Sequence, residues 1–170
     1  LKVGKNVRID WNSDINLHKN SCVIGNNVII QSLSRGYHAG MPFSSAILID
    51  VKNSFVEIGD NTSIHGCYIH AQKGISIGAK CAIAAGVHII DCNGHRLDSL
   101  DRNKERDKPE NIVIGNNVWI GLNSIILKGS IIGDNCVVSA GSVVKGVFPE
   151  NSLISGNPAK IIDTIINKKK

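Results

Sequence analysis

Aliphatic residues recur at every sixth position in the second half of the chain. They are Ile114, Ile120, Ile126, Ile132, Val138 and Val144. The position four residues after each carries a side chain that is usually small: Val118, Ser124, Ser130, Cys136, Ser142 and Phe148. A repeat this short is typical of a parallel β-helix, in which each hexad forms one flat side of a coil. We expect the aliphatic side chains to fill the interior, with the small side chains beside them.

Residues that tolerate tight turns follow these aliphatic positions. Gly115, Gly121 and Gly133 come directly after them, and the pairs Asn-Asn (116–117) and Asp-Asn (134–135) come next. Gly, Asn and Asp adopt the backbone conformations of a corner more readily than other residues. Three hexads, about 18 residues, would close one triangular turn, and successive turns would stack about 4.8 Å apart.

The repeat is weaker in the first half of the chain and is interrupted twice. Residues 31–46 are rich in Ser and Gly and contain Pro42, which predicts a loop that leaves the coil (loop 1). Residues 91–111 are strongly polar and predict a second extruded loop (loop 2). Loops of this length in compact folds are usually functional or disordered. Because loop 2 lies between two regular stretches of repeat, we favour a function for it.

The end of the chain changes its period. Asn157 can cap a helix that begins at Pro158, and the isoleucines at positions 161, 162, 165 and 166 would share one face of it. The three lysines at 168–170 complement the dipole at its C-terminus. We therefore predict a β-helix domain over 1–153 and a C-terminal extension over 154–170 that contains a short α-helix.

Composition narrows the classes of function. The 170 residues fit one domain, and with no apolar run of 18 residues we expect no membrane span. The net charge of +5 comes without a basic stripe interleaved with aromatic residues, so we expect no binding to nucleic acid. The five cysteines show no paired spacing, and free buried thiols favour a reducing, cytoplasmic location.

Three sequence motifs give the chain a family resemblance. They are NGHRLD (93–98), IVIGNNVWIG (112–121), and SAGSVV (139–144) leading to SGNPAKII (155–162). In this order they resemble the hexapeptide-repeat acyltransferases, closest to the galactoside-type, maltose-type and bacterial polysaccharide O-acetyltransferases. The resemblance implies an all-β, left-handed parallel β-helix, acetyl-CoA as acyl donor and a saccharide hydroxyl as acceptor. It also implies a homotrimer with active sites between subunits.

The resemblance places His95 at the position of the family's general base. A sugar hydroxyl is a weak nucleophile until its proton is removed, and imidazole has a pKa near the operating pH. Without the resemblance, one histidine in a charged loop would be an ordinary polar residue. Asp91 and Asp98 are both near His95 in sequence, and neither is favoured as the group that orients it. The resemblance also places the outward-facing Trp119 beside His95, as a wall for acceptor or acyl chain, with a subunit contact as the other interpretation.

The resemblance also implies a path for coenzyme A along the outside of the coil. The pantetheine arm would lie near Gly121, Leu122 and Ala140, with a backbone N–H of Gly121 or Leu122 stabilising the oxyanion. Lys145 and Lys160 match positions near the nucleotide end. Lys160 is the better candidate for a phosphate contact, and plain surface charge is the alternative for both.

Departures from the family pattern bear on the acceptor. The stretch 63–70 lacks the asparagine that helps to hold the acceptor in galactoside-type enzymes, and Ile64 and His65 stand nearest to it. Gly86 replaces the asparagine of the common IAPN hexad. We therefore assign His65 to the acceptor site or a subunit interface and leave the sugar open.

Other functions use the same coil. The segment IHGC (64–67) resembles β-helical carbonic anhydrases, which hold zinc with three histidines. The position five residues before His65 is Asp60, however, and the third histidine is missing. A catalytic zinc usually has three protein ligands, so we expect no metal site. An N-acetyltransferase acting on an amino sugar nucleotide and a non-catalytic β-helical scaffold remain the alternatives to an O-acetyltransferase.

Overall fold

The computed structural model describes residues 1–18, 21–35 and 37–165. Within these ranges the chain forms strands and no helix. In chain order the strands are β1 (Lys2–Val3), β2 (Arg8–Ile9), β3 (Asp14–Asn16), β4 (Cys22–Ile24), β5 (Ile29–Gln31), β6 (Ala46–Ile49), β7 (Phe55–Ile58), β8 (Ser63–His65), β9 (Tyr68–Ala71), β10 (Gly74–Ile77), β11 (Ala82–Ile83), β12 (His88–Ile90), β13 (Ile112–Ile114), β14 (Trp119–Ile120), β15 (Ile125–Leu127), β16 (Ile131–Ile132), β17 (Val137–Val138), β18 (Val143–Val144), β19 (Val147–Phe148), β20 (Ser152–Gly156) and β21 (Ala159–Thr164). None of the described segments is a helix that could cross a membrane.

Strands β1–β20 pair in parallel with strands three places away along the chain, so they form three sheets along one coil; β21 pairs antiparallel with β20. Sheet A has the order β1-β4-β7-β10-β13-β16-β19, sheet B the order β2-β5-β8-β11-β14-β17-β20-β21, and sheet C the order β3-β6-β9-β12-β15-β18. In the regular part, Ile120 pairs with Val138 in sheet B and Ile126 with Val144 in sheet C. This register is the triangular turn of three hexads that the sequence predicts.

The interior of the coil holds the residues that the repeat assigns to it. The six aliphatic residues of the regular stretch are at most 2% exposed, and the side chains four positions later are all buried. Serine fits there because its hydroxyl bonds to nearby backbone. Ser130 Oγ donates to the carbonyl oxygen of Leu127 at 2.6 Å, and Ser142 Oγ donates to that of Ser139 at 2.6 Å.

The corners carry asparagines in the left-handed backbone conformation. Asn117, Asn135 and Asn151 have φ values of 55°, 60° and 62°. Their side chains form a ladder, in which Asn117 Nδ2 donates to Asn135 Oδ1 at 2.9 Å and Asn135 Nδ2 to Asn151 Oδ1 at 3.2 Å. Asparagine is among the few non-glycine residues that visit this conformation readily, and the ladder links one turn to the next.

The predicted C-terminal helix is wrong over the residues that the structure describes. Ala159–Thr164 is β21, which runs antiparallel to β20 and pairs Gly156 with Ala159. The last parallel strand of sheet B has a free edge, and backbone pairing along it outweighs the helical spacing of the isoleucines. Ile154, which we had assigned to the extension, lies in the core and pairs with Val138. The positions 166 and 168–170 lie outside the described residues.

Both predicted loops fall between sheets. Loop 1 joins β5 of sheet B to β6 of sheet C, and loop 2 joins β12 of sheet C to β13 of sheet A. The coil continues directly beneath loop 2, because Ile89 before it pairs with Ile126 after it. The two loops therefore leave the coil at different corners.

Close stacking of the turns predicts a large cost for a side chain at Gly78. A Cβ atom there would lie 2.4 Å from the carbonyl oxygen of Gly115 in the next turn. Because the obstacle is backbone, Gly78→Ala should lower the free energy of unfolding by about 1–3 kcal/mol, measured by denaturant titration. Ser76→Ala, at an outward half-buried position of β10, is the control and should change it by less than about 0.5 kcal/mol. Equal stability of the two variants would contradict the stacking described here.

Candidate active site

His95 lies in loop 2 and its side chain is exposed. Its Nδ1 atom is 2.5 Å from the carbonyl oxygen of Arg102. A carbonyl oxygen can only accept a hydrogen bond, so the contact requires the hydrogen on Nδ1 and leaves the lone pair on Nε2. A backbone carbonyl within the same loop therefore sets the tautomer of His95 and orients its ring.

Neither of the two aspartates near His95 in sequence orients it. Asp91 is fully buried, and its carboxylate accepts the backbone N–H groups of residues 72–74 at 2.7–2.8 Å. Asp98 is paired with Arg96 through Oδ1 and Nε at 2.6 Å, and this hydrogen bond lowers the pKa of Asp98. Asp91 thus ties the start of loop 2 to the preceding turn, while Asp98 belongs to the loop surface.

The end of loop 2 is held by a nearly buried ion pair. Lys128 Nζ lies 2.6 Å from Asp107 Oδ2, 3.1 Å from the carbonyl oxygen of Lys108 and 3.4 Å from Glu110 Oε1. The side chains of Lys128 and Asp107 are 10% and 11% exposed. Their hydrogen bond raises the pKa of Lys128 and lowers that of Asp107. Asp107 Oδ2 also accepts the backbone N–H of Asn93 at 3.1 Å.

Trp119 stands on the outer surface of sheet B and is 56% exposed. It lines a cavity of about 380 Å³, the Trp119 cavity, together with Gly121, Leu122 and Ala140. Three of the five residues predicted to bind coenzyme A are therefore brought together beside the tryptophan. The other two, Lys145 and Lys160, do not line this cavity. Lys145 follows β18, and Lys160 is exposed on β21.

The backbone narrows the choice of an oxyanion donor. The N–H of Gly121 donates to the carbonyl oxygen of Val138 at 2.8 Å and is used by the sheet. The N–H of Leu122 has no partner among the hydrogen bonds of the described residues. Of the two candidates, only Leu122 keeps a donor for the cavity.

Loop 1 supplies residues that sequence reasoning missed. Tyr37 and His38 line the Trp119 cavity, and Tyr37 stacks on His65 with ring centroids 4.6 Å apart and planes at 18°. A smaller cavity of about 170 Å³ is lined by these three residues and Trp119. The sequence contains one feature that could have singled out Tyr37, because a tyrosine in a Ser- and Gly-rich loop is unusual in a chain that is only 4% aromatic.

The side chain of Gln31 fixes the orientation of the His65 ring. Its Nδ1 lies 3.0 Å from Gln31 Oε1, while Gln31 Nε2 donates to the carbonyl oxygen of Leu33 at 3.2 Å. With the amide oriented in this way, Nδ1 carries the hydrogen and the lone pair is on Nε2. Burial, followed by the charges of Arg8 and His38, lowers the pKa of His65. His65 and Trp119, both predicted to face the acceptor, line the same small cavity.

One chain does not bring His95 and Trp119 into one cavity. Loop 2 leaves the coil at the corner between sheets C and A, whereas Trp119 lies on sheet B. Over the part of the chain that the structure describes, the cavities at Trp119 include residues of loop 1 and none of loop 2. Nor do residues 1–18, 21–35 and 37–165 contain a cluster of three His, Cys, Asp or Glu side chains placed to hold a metal ion.

Comparisons with known proteins identify the family. The model of the bacterial transferase hexapeptide (six repeats) matches residues 111–146, and that of the hexapeptide repeat of succinyl-transferase matches 56–90. A probable macrolide acetyltransferase of Lysinibacillus sphaericus is 39% identical over 140 residues, which are 71% of this chain and 76% of that protein. The chain belongs to the hexapeptide-repeat acyltransferases.

Two further relatives extend this likeness. The putative lipopolysaccharide biosynthesis O-acetyl transferase WbbJ of Escherichia coli (strain K12) is 38% identical over 113 residues, or 61% of this chain, which spans only 57% of WbbJ. The structure of a galactoside acetyltransferase in complex with coenzyme A superposes with a TM-score of 0.68 at 25% identity, over 98% of this chain and 66% of that one. The predicted family and the left-handed parallel β-helix are confirmed.

The buried carboxylate of Asp91 predicts a difference between two aspartates of loop 2. Asp91→Asn replaces one accepting oxygen by an NH2 group, which cannot accept, and leaves at least one of the three backbone N–H groups without a partner. We expect it to lower the free energy of unfolding by about 1–3 kcal/mol. Asp98→Asn, at an exposed ion pair, should leave the free energy of unfolding nearly unchanged. Denaturant titration of both variants measures the difference, and a stable Asp91→Asn protein would refute the anchoring role.

Proposed function

We propose that the protein is an acetyl-CoA-dependent O-acetyltransferase that acts on a saccharide hydroxyl. The main support for this proposal is the hydrogen bond between His95 Nδ1 and the Arg102 carbonyl, because it leaves Nε2 as a free base on an exposed loop. The Trp119 cavity supports coenzyme A as the donor, since it gathers three residues that the family resemblance assigns to the pantetheine arm. The coenzyme A complex of the similar galactoside acetyltransferase points the same way.

In the proposed reaction, Nε2 of His95 takes the proton of the acceptor hydroxyl as its oxygen attacks the thioester carbon. The backbone N–H of Leu122 donates to the oxyanion of the tetrahedral intermediate. Collapse of that intermediate breaks the carbon–sulfur bond, and the coenzyme A thiolate takes the proton from the imidazolium. The acetyl group moves directly to the acceptor, without a covalent enzyme intermediate.

The cysteines support direct transfer. All five are free and buried. Burial raises the pKa of Cys22 to about 11 and raises that of Cys67 further. A thiol must ionise to act as a nucleophile, so none of these side chains is suited to hold the acetyl group. Free buried thiols are also the support for a cytoplasmic location, which is part of the proposal.

The acceptor is proposed to lie in the small cavity between Trp119 and the Tyr37–His65 stack. Its aromatic walls offer rigid apolar surface to the face of a sugar ring, and the free Nε2 of His65 can accept a hydrogen bond from a hydroxyl. The likeness to WbbJ supports a role in bacterial surface polysaccharide biosynthesis. An amino sugar bound in the same way would make the enzyme an N-acetyltransferase.

The protein is proposed to work as a homotrimer whose sites are shared between subunits. In one chain, the loop that carries His95 and the Trp119 cavity lie on different sides of the coil, so a second copy is needed to bring them together. Loop 2 also carries Leu97 and Leu100, which are 70% and 106% exposed in an otherwise polar segment. Contact with a neighbouring copy would remove these apolar side chains from water.

Replacement of the proposed base tests the function. His95→Ala should lower kcat for acetyl transfer by about 10²–10⁴-fold, because it removes the proton acceptor, and should leave coenzyme A binding nearly unchanged. Turnover is measured by thiol release with hydroxyl and amino sugars as acceptors, and binding by calorimetry. Full activity of the variant would refute the assignment. A preference for amino acceptors would show N-acetylation, and a wild-type protein that does not bind coenzyme A would favour a scaffold.

Mixing two inactive variants tests the shared site. Ala140→Trp should block the Trp119 cavity while His95 stays intact. Co-expressed with His95→Ala, it should form mixed trimers in which about a quarter of the sites join an intact His95 to an intact cavity on the next subunit. Activity should therefore recover to about that fraction of wild type. If both groups act within one chain, every site keeps one defect and no activity returns.

A further inference from the structure

Lys128 points away from the interior of the coil, yet this positively charged residue is buried. It directly follows β15, so it lies at the corner between sheets C and A, one turn beyond the corner from which loop 2 leaves. Among the described residues, Lys128 and Asp91 are the charged side chains that are buried. Removing an ammonium group from water is unfavourable unless its hydrogen bonds are replaced. The packing of the coil does not require a cation at this position, so the role of Lys128 lies with the groups that it contacts.

All partners of the Lys128 ammonium group belong to the end of loop 2. Asp107, the carbonyl of Lys108 and Glu110 surround it, which matches its three N–H donors. Asp107 Oδ2 is shared, since it also accepts the N–H of Asn93, two residues before His95. One carboxylate oxygen therefore connects the coil to the backbone that enters the His95 segment.

Asp91 holds the first residue of loop 2 to the preceding turn, but the contacts around His95 itself act within the loop. His95 is oriented by the carbonyl of Arg102, and Arg96 reaches Glu105 through Nη1 at 3.3 Å. These contacts fix the imidazole relative to the loop but not relative to the coil. Lys128 and Asp107 fix the position of the imidazole relative to the coil, because they join both ends of the His95 segment to the turn below.

We infer that Lys128 is a positioning residue for His95, which acts through Asp107 to set where loop 2 presents the imidazole. The inference rests on the proposed function, in which His95 must meet a cavity of the neighbouring subunit. Reactions between held groups are sensitive to such placement, and a displacement of about 1 Å can cost about 10²-fold in rate. Lys128 itself touches neither substrate nor coenzyme in this scheme.

Three variants test the inference. Lys128→Met removes the ammonium group and keeps a long apolar stem, Lys128→Arg keeps the cation, and Lys104→Met is the matched control. Lys104 lies in loop 2 itself and forms an exposed pair with Asp101 at 3.0 Å. Lys128→Met should lower kcat by about 100-fold in a protein that stays trimeric. The KM for acetyl-CoA and the affinity for coenzyme A should stay within about threefold, since the cavity is untouched. Lys128→Arg should recover part of the lost kcat, and Lys104→Met should stay within about twofold of wild type.

A double variant tests the route through Asp107. If the two side chains act as one unit, Lys128→Met with Asp107→Asn should be no slower than the slower single variant. Independent, multiplying losses would overturn the inference. So would a wild-type kcat in Lys128→Met, or a loss of kcat that only follows the loss of coenzyme A binding or of the trimer. Should Lys128→Met fail to fold, Asp107→Asn alone carries the same comparison of kcat with KM. Failure of the proposed function is recognised separately, by activity that persists in His95→Ala.

Discussion

The parallel pairing of each turn with the next is the constraint on which the rest of the structure depends. The parallel strands of each turn bond to those of the next turn, and the side chains that point inward fill a narrow aliphatic interior. Turns stacked this closely leave no room for a pocket inside the coil. Chemistry is therefore confined to the outer surface of a sheet or to a segment that leaves the coil.

The two kinds of segment are stabilised by different forces. The coil is held by aliphatic packing and by backbone ladders, with serine hydroxyls satisfied locally. Loop 2 has little apolar surface to bury and relies on charge-assisted hydrogen bonds at its ends. Asp91 accepts three backbone N–H groups, and Lys128 donates to Asp107. Such bonds are stronger than neutral ones, so a few of them can hold a polar segment in one place.

The coil can be predicted from the sequence because the six-residue repeat follows directly from which side chains pack inside each turn. An inward residue recurs at every sixth position wherever the turns are regular, and the corners need residues that accept a left-handed backbone. The helical spacing of the C-terminal isoleucines was misleading, because a spacing reports which side chains share a face but not whether a free sheet edge lies nearby. β20 offers that edge, and β21 pairs with it.

The site could be predicted only in part. Gly121, Leu122 and Ala140 belong to the repeat, so their meeting at one corner follows from the register of the coil. The group that orients His95 could not be foreseen, because it is a backbone carbonyl and has no signature in the sequence. The stacking of Tyr37 on His65 joins two segments through a loop whose path the repeat does not determine.

The way in which the coil closes beneath loop 2 has a consequence for the length of that loop. Strands before the loop pair with strands after it, β12 with β15 and β10 with β13, as though the loop were absent, and the N–H of Glu110 donates to the carbonyl oxygen of Asp91 at 2.9 Å across its base. The pairing of the turns therefore does not depend on the number of residues in the loop. Changes in the length or sequence of loop 2 can be accommodated without altering how the turns of the coil pair.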